Sequence, residues 1–256
     1  MRILWIGAHP DDELFVAPWL GAMVESQGAH CGFLVATRGE KGDCHLPEGC
    51  LPDLGTVRER EMREAAALFG GEVWFAGCRD GVASEPDDVL RIWARDAGGM
   101  RALQQRFLGV IEQFRPDRIA TFNRWHGCTW HADHRAIGIL IQALALPIPV
   151  TLAESRLTFD NPLTIEAGDP AAEEFDSRAT WDYLMRNLAC HRSQMPAEIA
   201  GLFACAPLEQ RRTWLTHRER WHRWSKPLDD VLLAFRRLLS HTQLSRLRRL
   251  TPGRRG

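Results

Sequence analysis

The sequence predicts an α/β fold, with a Rossmann-like, doubly wound and mostly parallel sheet and a helical, arginine-rich C-terminal extension. Short apolar runs alternate with segments of helical spacing through the first 150 residues. This alternation is typical of right-handed βαβ units, which build parallel sheets. A length of 256 residues suits one large domain with a small appendage. We therefore expect an α/β domain over residues 1–195 and a helical extension over 196–256 that packs on it or is partly mobile.

Apolar runs predict four strands and a weaker fifth. The first ends in a glycine-containing turn, as a buried parallel strand does. The five expected ranges are 2–8, 30–37, 72–76, 118–122 and, less distinctly, 151–159.

Helical spacing of apolar residues predicts five helices between and after these strands. Pro18 predicts a kink or an early break in the first of them. Gly70 and Gly71 are expected to end the second. The expected helices cover 12–27, 57–69, 100–114, 134–146 and 177–191.

Composition and charge exclude several classes of protein. The formal net charge is −1, so no overall positive field favours nucleic acid or an anionic membrane. No run approaches the roughly 20 apolar residues that span a bilayer. The acidic residues at 11–13 interrupt the N-terminal apolar run, which is too short for a signal peptide. We expect a cytoplasmic protein with a small-molecule substrate that could form a homo-oligomer.

The extension and the cysteines each allow two interpretations. Residues 228–256 carry seven arginines and two acids, which suits either a basic surface-binding helix pair or a docked helix with a solvated arginine face. We expect the second. The odd number of cysteines, seven, favours reduced thiols over a disulfide framework. Cys44, His45 and Cys50 could form a second zinc site, but we expect a loop with reduced thiols that flanks the substrate.

Two clusters of ionisable residues follow predicted strands. His9, Asp11 and Asp12 come directly after the first strand, where open α/β sheets place their ligands. Taken alone, they could instead form a turn with a helix N-cap. The second cluster, residues 131–134, has the sequence His-Ala-Asp-His and opens a helix after the fourth strand.

These clusters predict a metal site. His131 and His134 are three residues apart, so both can face one side of a first helical turn. Because the ends of parallel strands meet at one edge of a sheet, the clusters can lie close together. Histidine and aspartate ligands suit zinc, with a fourth position for water. From the residues alone, either of the two neighbouring aspartates could bind the metal while the other acts as a base.

The same motifs resemble those of the LmbE-like, or PIG-L-type, zinc N-deacetylases. The Thr-Arg-Gly-Glu run at 37–40, Arg58 with Glu61, and the runs at 68–70, 115–117 and 191–194 add to the likeness, which covers roughly residues 1–195. The resemblance implies a Rossmann-like fold and the removal of acetyl groups from N-acetylglucosamine conjugates and related amides.

The resemblance also implies which residues carry the chemistry. It makes His9, Asp12 and His134 the zinc ligands and Asp11 the general base. Zinc lowers the pKa of bound water towards about 7 and polarises a carbonyl, so Asp11 would take the proton as this water attacks the amide. His131 would stabilise the oxyanion, best as an imidazolium.

Further residues receive roles around that centre. Asp133 is expected to orient His131 and raise its pKa. By resemblance, Arg58 and Asp80 hold sugar hydroxyls. Trp130, with Trp125 and His126 beside it, could stack on a sugar or an aromatic ring, or could simply be a core residue.

The sequence departs from the family pattern in two places. Ala132 replaces a common proline, and Thr129 and Trp130 stand where some members have a catalytic tyrosine. The substrate is therefore open: a zinc amidase acting on a non-sugar or thiol-conjugate amide is the alternative. A nucleotide-binding module is disfavoured because the first turn lacks G-x-G-x-x-G and its carboxylates would repel a pyrophosphate.

Overall fold

The computed structural model describes residues 1–124, 127–153 and 177–195. These residues belong to one compact unit of the chain. The expected extension over 196–256, its arginines, and positions 154–159 of the fifth expected strand lie outside the described residues. None of the helices in the described ranges has the length and apolar character needed to cross a bilayer.

The described strands form one five-stranded parallel sheet, which confirms the predicted fold class. The spatial order is β3-β2-β1-β4-β5. Every neighbouring pair is parallel. The strands are β1 (Arg2–Gly7), β2 (His30–Val35), β3 (Glu72–Phe75), β4 (Arg118–Phe122) and β5 (Val150–Ala153).

The described residues also form six α-helices and two short 3₁₀ turns. The α-helices are α1 (Ala17–Gln27), α2 (Leu54–Ala67), α3 (Pro86–Ala97), α4 (Met100–Phe114), α5 (Ala132–Ala143) and α6 (Trp181–Cys190). The 3₁₀ turns are Asp12–Phe15 and Ser177–Thr180.

The first helical segment breaks earlier than its proline predicts. The 3₁₀ turn Asp12–Phe15 ends at Val16, and Pro18 lies in the first turn of α1, where a missing backbone N–H costs no helical hydrogen bond. Helix α3 was not predicted at all. Its apolar residues, including the buried Val89 and Trp93, recur at helical spacing, and a proline and two acids open it, so the sequence carried the signal for this helix.

Helices cover both faces of the sheet. Helices α3, α4 and α5 share one apolar core with Leu4, Ile6 and Leu34 of the sheet. Helices α1, α2 and α6 pack together in a second group. The ring of Tyr183 on α6 lies 2.3 Å from where a Cβ on Gly21 would stand, so glycine is what lets α6 approach α1 this closely.

The strand order reverses between β1 and β4. Strands β2 and β3 extend the sheet from one side of β1, whereas β4 and β5 extend it from the other. In open α/β sheets, ligands bind beyond the carboxyl ends of the strands at such a reversal. The two predicted clusters follow β1 and β4, so the topology brings both to this point.

The expectation of reduced thiols is wrong for one pair of cysteines. Cys44 and Cys50 form a disulfide with a Cα–Cα distance of 6.0 Å. The odd total misled the prediction, because it does not prevent two cysteines six residues apart from pairing within a single loop. The bonded pair also excludes a zinc site on these thiols. The loop contacts the end of the described chain, since His45 N–H donates to the Ser193 carbonyl.

Candidate metal centre

Asp12 is folded back against the end of β1. Its Oδ2 accepts the backbone N–H groups of Ala8 and His9, both at 2.7 Å, which leaves Oδ1 for another partner. A Cβ at Gly7 would lie 3.1 Å from the Asp12 Cβ. The same Cβ would lie 2.8 Å from Trp5 Nε1, so a larger residue than glycine would require these side chains to shift.

His134 is fixed by the loop that precedes α5. Its Nδ1 donates to the Gly127 carbonyl at 2.8 Å and also lies 3.1 Å from Thr129 Oγ1. The imidazole stacks on Phe122, the last residue of β4, with centroids 4.2 Å apart and ring planes at 3°. A ring that carries its proton on Nδ1 presents the lone pair of Nε2.

His9 is held from its other side by two carboxylates. Its Nε2 lies 3.0 Å from Asp80 Oδ1 and 3.2 Å from Asp133 Oδ2. Asp80 also accepts the N–H of Lys41, and Asp133 accepts that of Gly81. A proton on Nε2 satisfies these carboxylates and leaves Nδ1 as the lone pair, which is the arrangement that metal-binding histidines adopt.

The three remaining atoms form a triangle of the size that zinc requires. His9 Nδ1 and His134 Nε2 are 3.2 Å apart, and His134 Nε2 and Asp12 Oδ1 are 3.0 Å apart. His9 Nδ1 and Asp12 Oδ1 are separated by 3.7 Å. Tetrahedral zinc with bonds near 2.1 Å places neighbouring ligand atoms about 3.4 Å apart. The residues present therefore fit a metal of this kind.

The charges in this cluster are strongly coupled. Burial lowers the pKa of His9, but Asp80 and the hydrogen bonds to carboxylates outweigh it and hold that pKa well above its usual value. Burial raises the pKa of Asp12, yet His134 and His9 bring it well below its usual value. A cation that binds here must displace a proton from His9, so its affinity depends on pH.

Asp11 lies next to this triangle but is held separately. Its backbone is left-handed, with φ of 100°, and its N–H donates to Glu13 Oε2 at 3.2 Å. Its Oδ1 pairs with Arg58 Nη2 at 3.0 Å. The same guanidinium donates to the carbonyls of Pro10 and Gly39. Burial raises the pKa of Asp11, and Arg58, which lowers it, does not cancel the effect.

Arg58 and Asp80 were expected to hold sugar hydroxyls, and the structure gives both of them partners within the protein. Arg58 is only 4% exposed and contacts Asp11, whereas Asp80 is 5% exposed and contacts His9. Sequence reasoning missed both contacts. Arg58 thus helps to hold Asp11, and Asp80 helps to hold His9.

His131 and Asp133 are related differently from the expectation. His131 Nδ1 accepts the backbone N–H of Asp133 at 3.2 Å, and the Asp133 carboxylate contacts His9 instead. Burial and the nearby His9 and His134 lower the pKa of His131 to about 3, outweighing Asp133, which raises it. The expected imidazolium is therefore not what this arrangement favours. A ring nitrogen of His131 still lies within 4.8 Å of one on His9 and one on His134.

Trp130 is partly buried in the loop before α5. Its backbone is left-handed, with φ of 63°, and the Arg135 guanidinium lies 5.9 Å from the ring centroid. The neighbouring Trp125 and His126 lie outside the described residues.

Two buried pairs of residues from distant parts of the chain lie next to Asp11 and helix α2. His191 Nε2 lies 2.5 Å from Glu13 Oε1. Ser193 N–H and Oγ donate to the two carboxylate oxygens of Glu61 at 2.8 and 2.6 Å. Glu61, His191 and Ser193 stand in segments that resemble the family and Glu13 follows Asp12, but no local pattern indicates that these residues pair.

Comparisons with known proteins agree with the motifs. A family model described as PIG-L, GlcNAc-PI de-N-acetylase, matches residues 4–145. A 1D-myo-inositol 2-acetamido-2-deoxy-alpha-D-glucopyranoside deacetylase from Thermomonospora curvata is 31% identical over 147 residues, which are 52% of this chain and 48% of the relative. The enzyme of the same name from Saccharomonospora viridis is 30% identical over 145 residues, 52% of this chain and 53% of the relative. The chain spans about half the length of these curated relatives.

Solved structures share the fold. The N,N'-diacetylchitobiose deacetylase of Pyrococcus horikoshii superposes with a TM-score of 0.54 at 17% identity, covering 83% of this chain and 76% of that one. A deacetylase of teicoplanin biosynthesis superposes with a TM-score of 0.51 at 16% identity, covering 81% and 94%. The family model spans more than half of the chain, and the resemblance drawn from the motifs is confirmed: the chain belongs to the PIG-L family.

Proposed function

We propose that this protein is a zinc-dependent hydrolase that removes an N-acetyl, or another N-acyl, group from an amino-sugar conjugate or a glycosylated small molecule. The observation that carries the proposal is the triangle of His9, Asp12 and His134 with a carboxylate, Asp11, beside it. Relatives named as deacetylases of an acetamido sugar support the substrate class.

Zinc is the metal we propose. His9, Asp12 and His134 would each hold it through one nitrogen or oxygen atom. The second nitrogen or oxygen of each side chain is already hydrogen-bonded to the protein, and such contacts orient and strengthen metal ligands. When bound, zinc supplies Lewis acidity, which makes a water acidic enough to ionise near neutral pH and polarises an amide carbonyl.

Asp11 would accept the proton of the attacking water. Arg58 occupies its Oδ1, so Oδ2 is the oxygen that remains for this transfer. The raised pKa of Asp11 suits a group that must first take a proton and then return it to the leaving amine.

His131 would stabilise the charge that develops on the amide oxygen. Because its Nδ1 accepts the Asp133 N–H, a neutral ring carries its proton on Nε2. That N–H is the hydrogen-bond donor that we assign to the oxyanion. In this arrangement Asp133 contacts two residues: its backbone N–H donates to His131, and its carboxylate accepts from His9.

We place Arg58, Asp80 and Trp130 beside the bound sugar. The partly exposed ring of Trp130 supplies an apolar surface for stacking. Arg58 and Asp80 are buried and already contact Asp11 and His9. We therefore expect them to contribute less to substrate binding than to the metal centre.

A substrate panel tests the proposal. N-acetylglucosamine, N,N'-diacetylchitobiose, 1D-myo-inositol 2-acetamido-2-deoxy-alpha-D-glucopyranoside and an S-conjugated N-acetylcysteine amide are each incubated with zinc or with a chelator, and released amine is measured. We expect zinc-dependent amine release from an amino sugar and none from an Asp11→Ala variant. Release from the thiol conjugate alone would favour the alternative amidase, and the absence of zinc-dependent release from every substrate would contradict the proposal.

A further inference from the structure

A buried histidine–glutamate pair connects the end of the described chain to the loop that carries the proposed base. Glu13 is 0% and His191 1% exposed. Their Oε1 and Nε2 atoms are 2.5 Å apart, although 178 residues separate them in sequence. The matched family model ends at residue 145, so it does not include this contact.

The second oxygen of Glu13 holds the backbone of Asp11. Oε2 accepts the Asp11 N–H at 3.2 Å. Asp11 has φ of 100° and ψ of −13°. A residue with a side chain keeps such a left-handed conformation only where its surroundings hold it. The Glu13 carboxylate is one of the groups that do so, and its orientation is set by His191.

The segment that carries His191 is itself anchored through Ser193, two residues further along the chain. Ser193 donates twice to the buried Glu61 on α2. The same helix carries Arg58, one turn earlier, which pairs with the Asp11 side chain. Helix α2 therefore reaches Asp11 by two routes, directly to its carboxylate and indirectly, through residues 191–193 and Glu13, to its backbone.

We infer that His191 and Glu13 are positioning residues, which fix the backbone of Asp11 so that its carboxylate faces the metal centre. The inference rests on the proposed function, in which Asp11 is the general base. It makes the segment after α6 part of the active centre, although neither residue is proposed to touch substrate or metal.

Two substitutions at His191 test the inference. His191→Leu fills a similar volume without a donor, whereas the Nε2 amide of His191→Gln can still donate to Glu13. With zinc bound and N,N'-diacetylchitobiose or the best substrate of the panel, we expect kcat of the leucine variant to fall about 10- to 100-fold with KM nearly unchanged, because small misplacements of a catalytic group have effects of this size. The glutamine variant is expected to recover most of that loss.

Amide hydrogen exchange provides a readout that does not depend on activity. We expect the Asp11 amide of ¹⁵N-labelled protein to exchange at least about tenfold faster in His191→Leu than in wild type, and to be nearly normal in His191→Gln. His30→Ala is the matched control, since His30 forms an exposed pair with Glu72 at 3.4 Å. If His191→Leu does not fold, Ser193→Ala, which removes one of the two bonds to Glu61, is expected to give the same changes at smaller size.

The results separate the inference from the function on which it rests. Unchanged kcat at equal zinc content, or unchanged exchange of the Asp11 amide, would overturn the positioning role. If wild-type protein releases no amine from any substrate, the proposed function fails, and the exchange measurement alone then decides whether the pair positions Asp11.

Discussion

Replacing Asp80 by asparagine separates two roles for this residue. Resemblance to the family assigns Asp80 to a sugar hydroxyl, whereas the structure places its Oδ1 3.0 Å from His9 Nε2. If the second contact dominates, Asp80→Asn should weaken zinc binding and leave KM almost unchanged. The substitution keeps the size of the side chain and an acceptor oxygen, so it removes mainly the negative charge behind the ligand.

The size of the effect follows from the contacts around His9. Removing an outer contact of a metal-binding histidine typically weakens metal affinity 10- to 100-fold. Asp133 Oδ2 still lies 3.2 Å from the same nitrogen, so we expect about a tenfold loss, or about 1.4 kcal/mol, for the single change. The double variant with Asp133→Asn should approach a 100-fold loss, about 2.7 kcal/mol.

Proton competition opposes this loss without cancelling it. Asp80 raises the pKa of His9, so its removal also makes the ring easier to deprotonate. Zinc carries two charges and the competing proton carries one. The loss of the carboxylate therefore weakens zinc binding at His9 more than it weakens proton binding. The zinc affinity of the variant should therefore be lower and should rise less steeply with pH.

The assay is a zinc competition titration of metal-free protein against a chromogenic chelator, followed by steady-state kinetics at saturating zinc. Glu72→Gln serves as the control, because it alters a carboxylate that faces a histidine on the surface. Unchanged zinc affinity together with a raised KM would refute the reasoning and return Asp80 to the sugar site.

Three further predictions concern the base, the pH dependence and the disulfide. Asp11→Asn should lower kcat by about 10²- to 10⁴-fold while zinc, measured by elemental analysis, stays bound; loss of zinc would instead make Asp11 a ligand. Burial lowers the pKa of His191, but Glu13 and Asp11 together outweigh it, so the folded-state pKa lies above 6.5. The resulting stabilisation should be complete below pH 6.5 and should decline as the pH rises through the folded-state pKa. Urea unfolding of wild type and His191→Gln across this range tests whether the difference in unfolding free energy falls as the pH rises. Replacing Cys44 and Cys50 by serine should lower the free energy of unfolding by about 2 kcal/mol, measured with the same denaturant, and a reductant should then have no further effect.

The proximity of His9, Asp12 and His134 could be predicted from sequence because it depends on local rules. His9 and Asp12 follow one strand, and His134 begins the helix after another. In the sheet, Ile6 of β1 faces Thr121 of β4 in register, so the two strands end at nearly the same level. Knowing only that parallel strands end along one edge was sufficient to bring these residues together.

The supporting contacts could not be predicted because packing between distant segments determines them. Asp80 and Asp133 both contact His9, although the family pattern assigned Asp133 to His131. The loop after β3 brings Asp80 and Gly81 beside the start of α5, and the Gly81 N–H donates to the Asp133 carboxylate oxygen that contacts His9. A residue's neighbours along the chain identify its motif, but they do not identify its partner.

The division between ligands and positioning residues follows the connectivity of the chain. Every atom of the proposed zinc triangle comes from residues within the family model's range of 4–145, because a Rossmann-like sheet needs only β1 and β4 to form the site. The proposed base requires more than this. Its backbone contact runs through Glu13 to His191, which lies beyond α6, and α6 packs on α1 and α2 rather than on the strands that carry the ligands. A relative could therefore keep all three ligands and still differ in how well its base is held, so among chains that share the zinc motif the residue at position 191 should alter kcat rather than zinc binding.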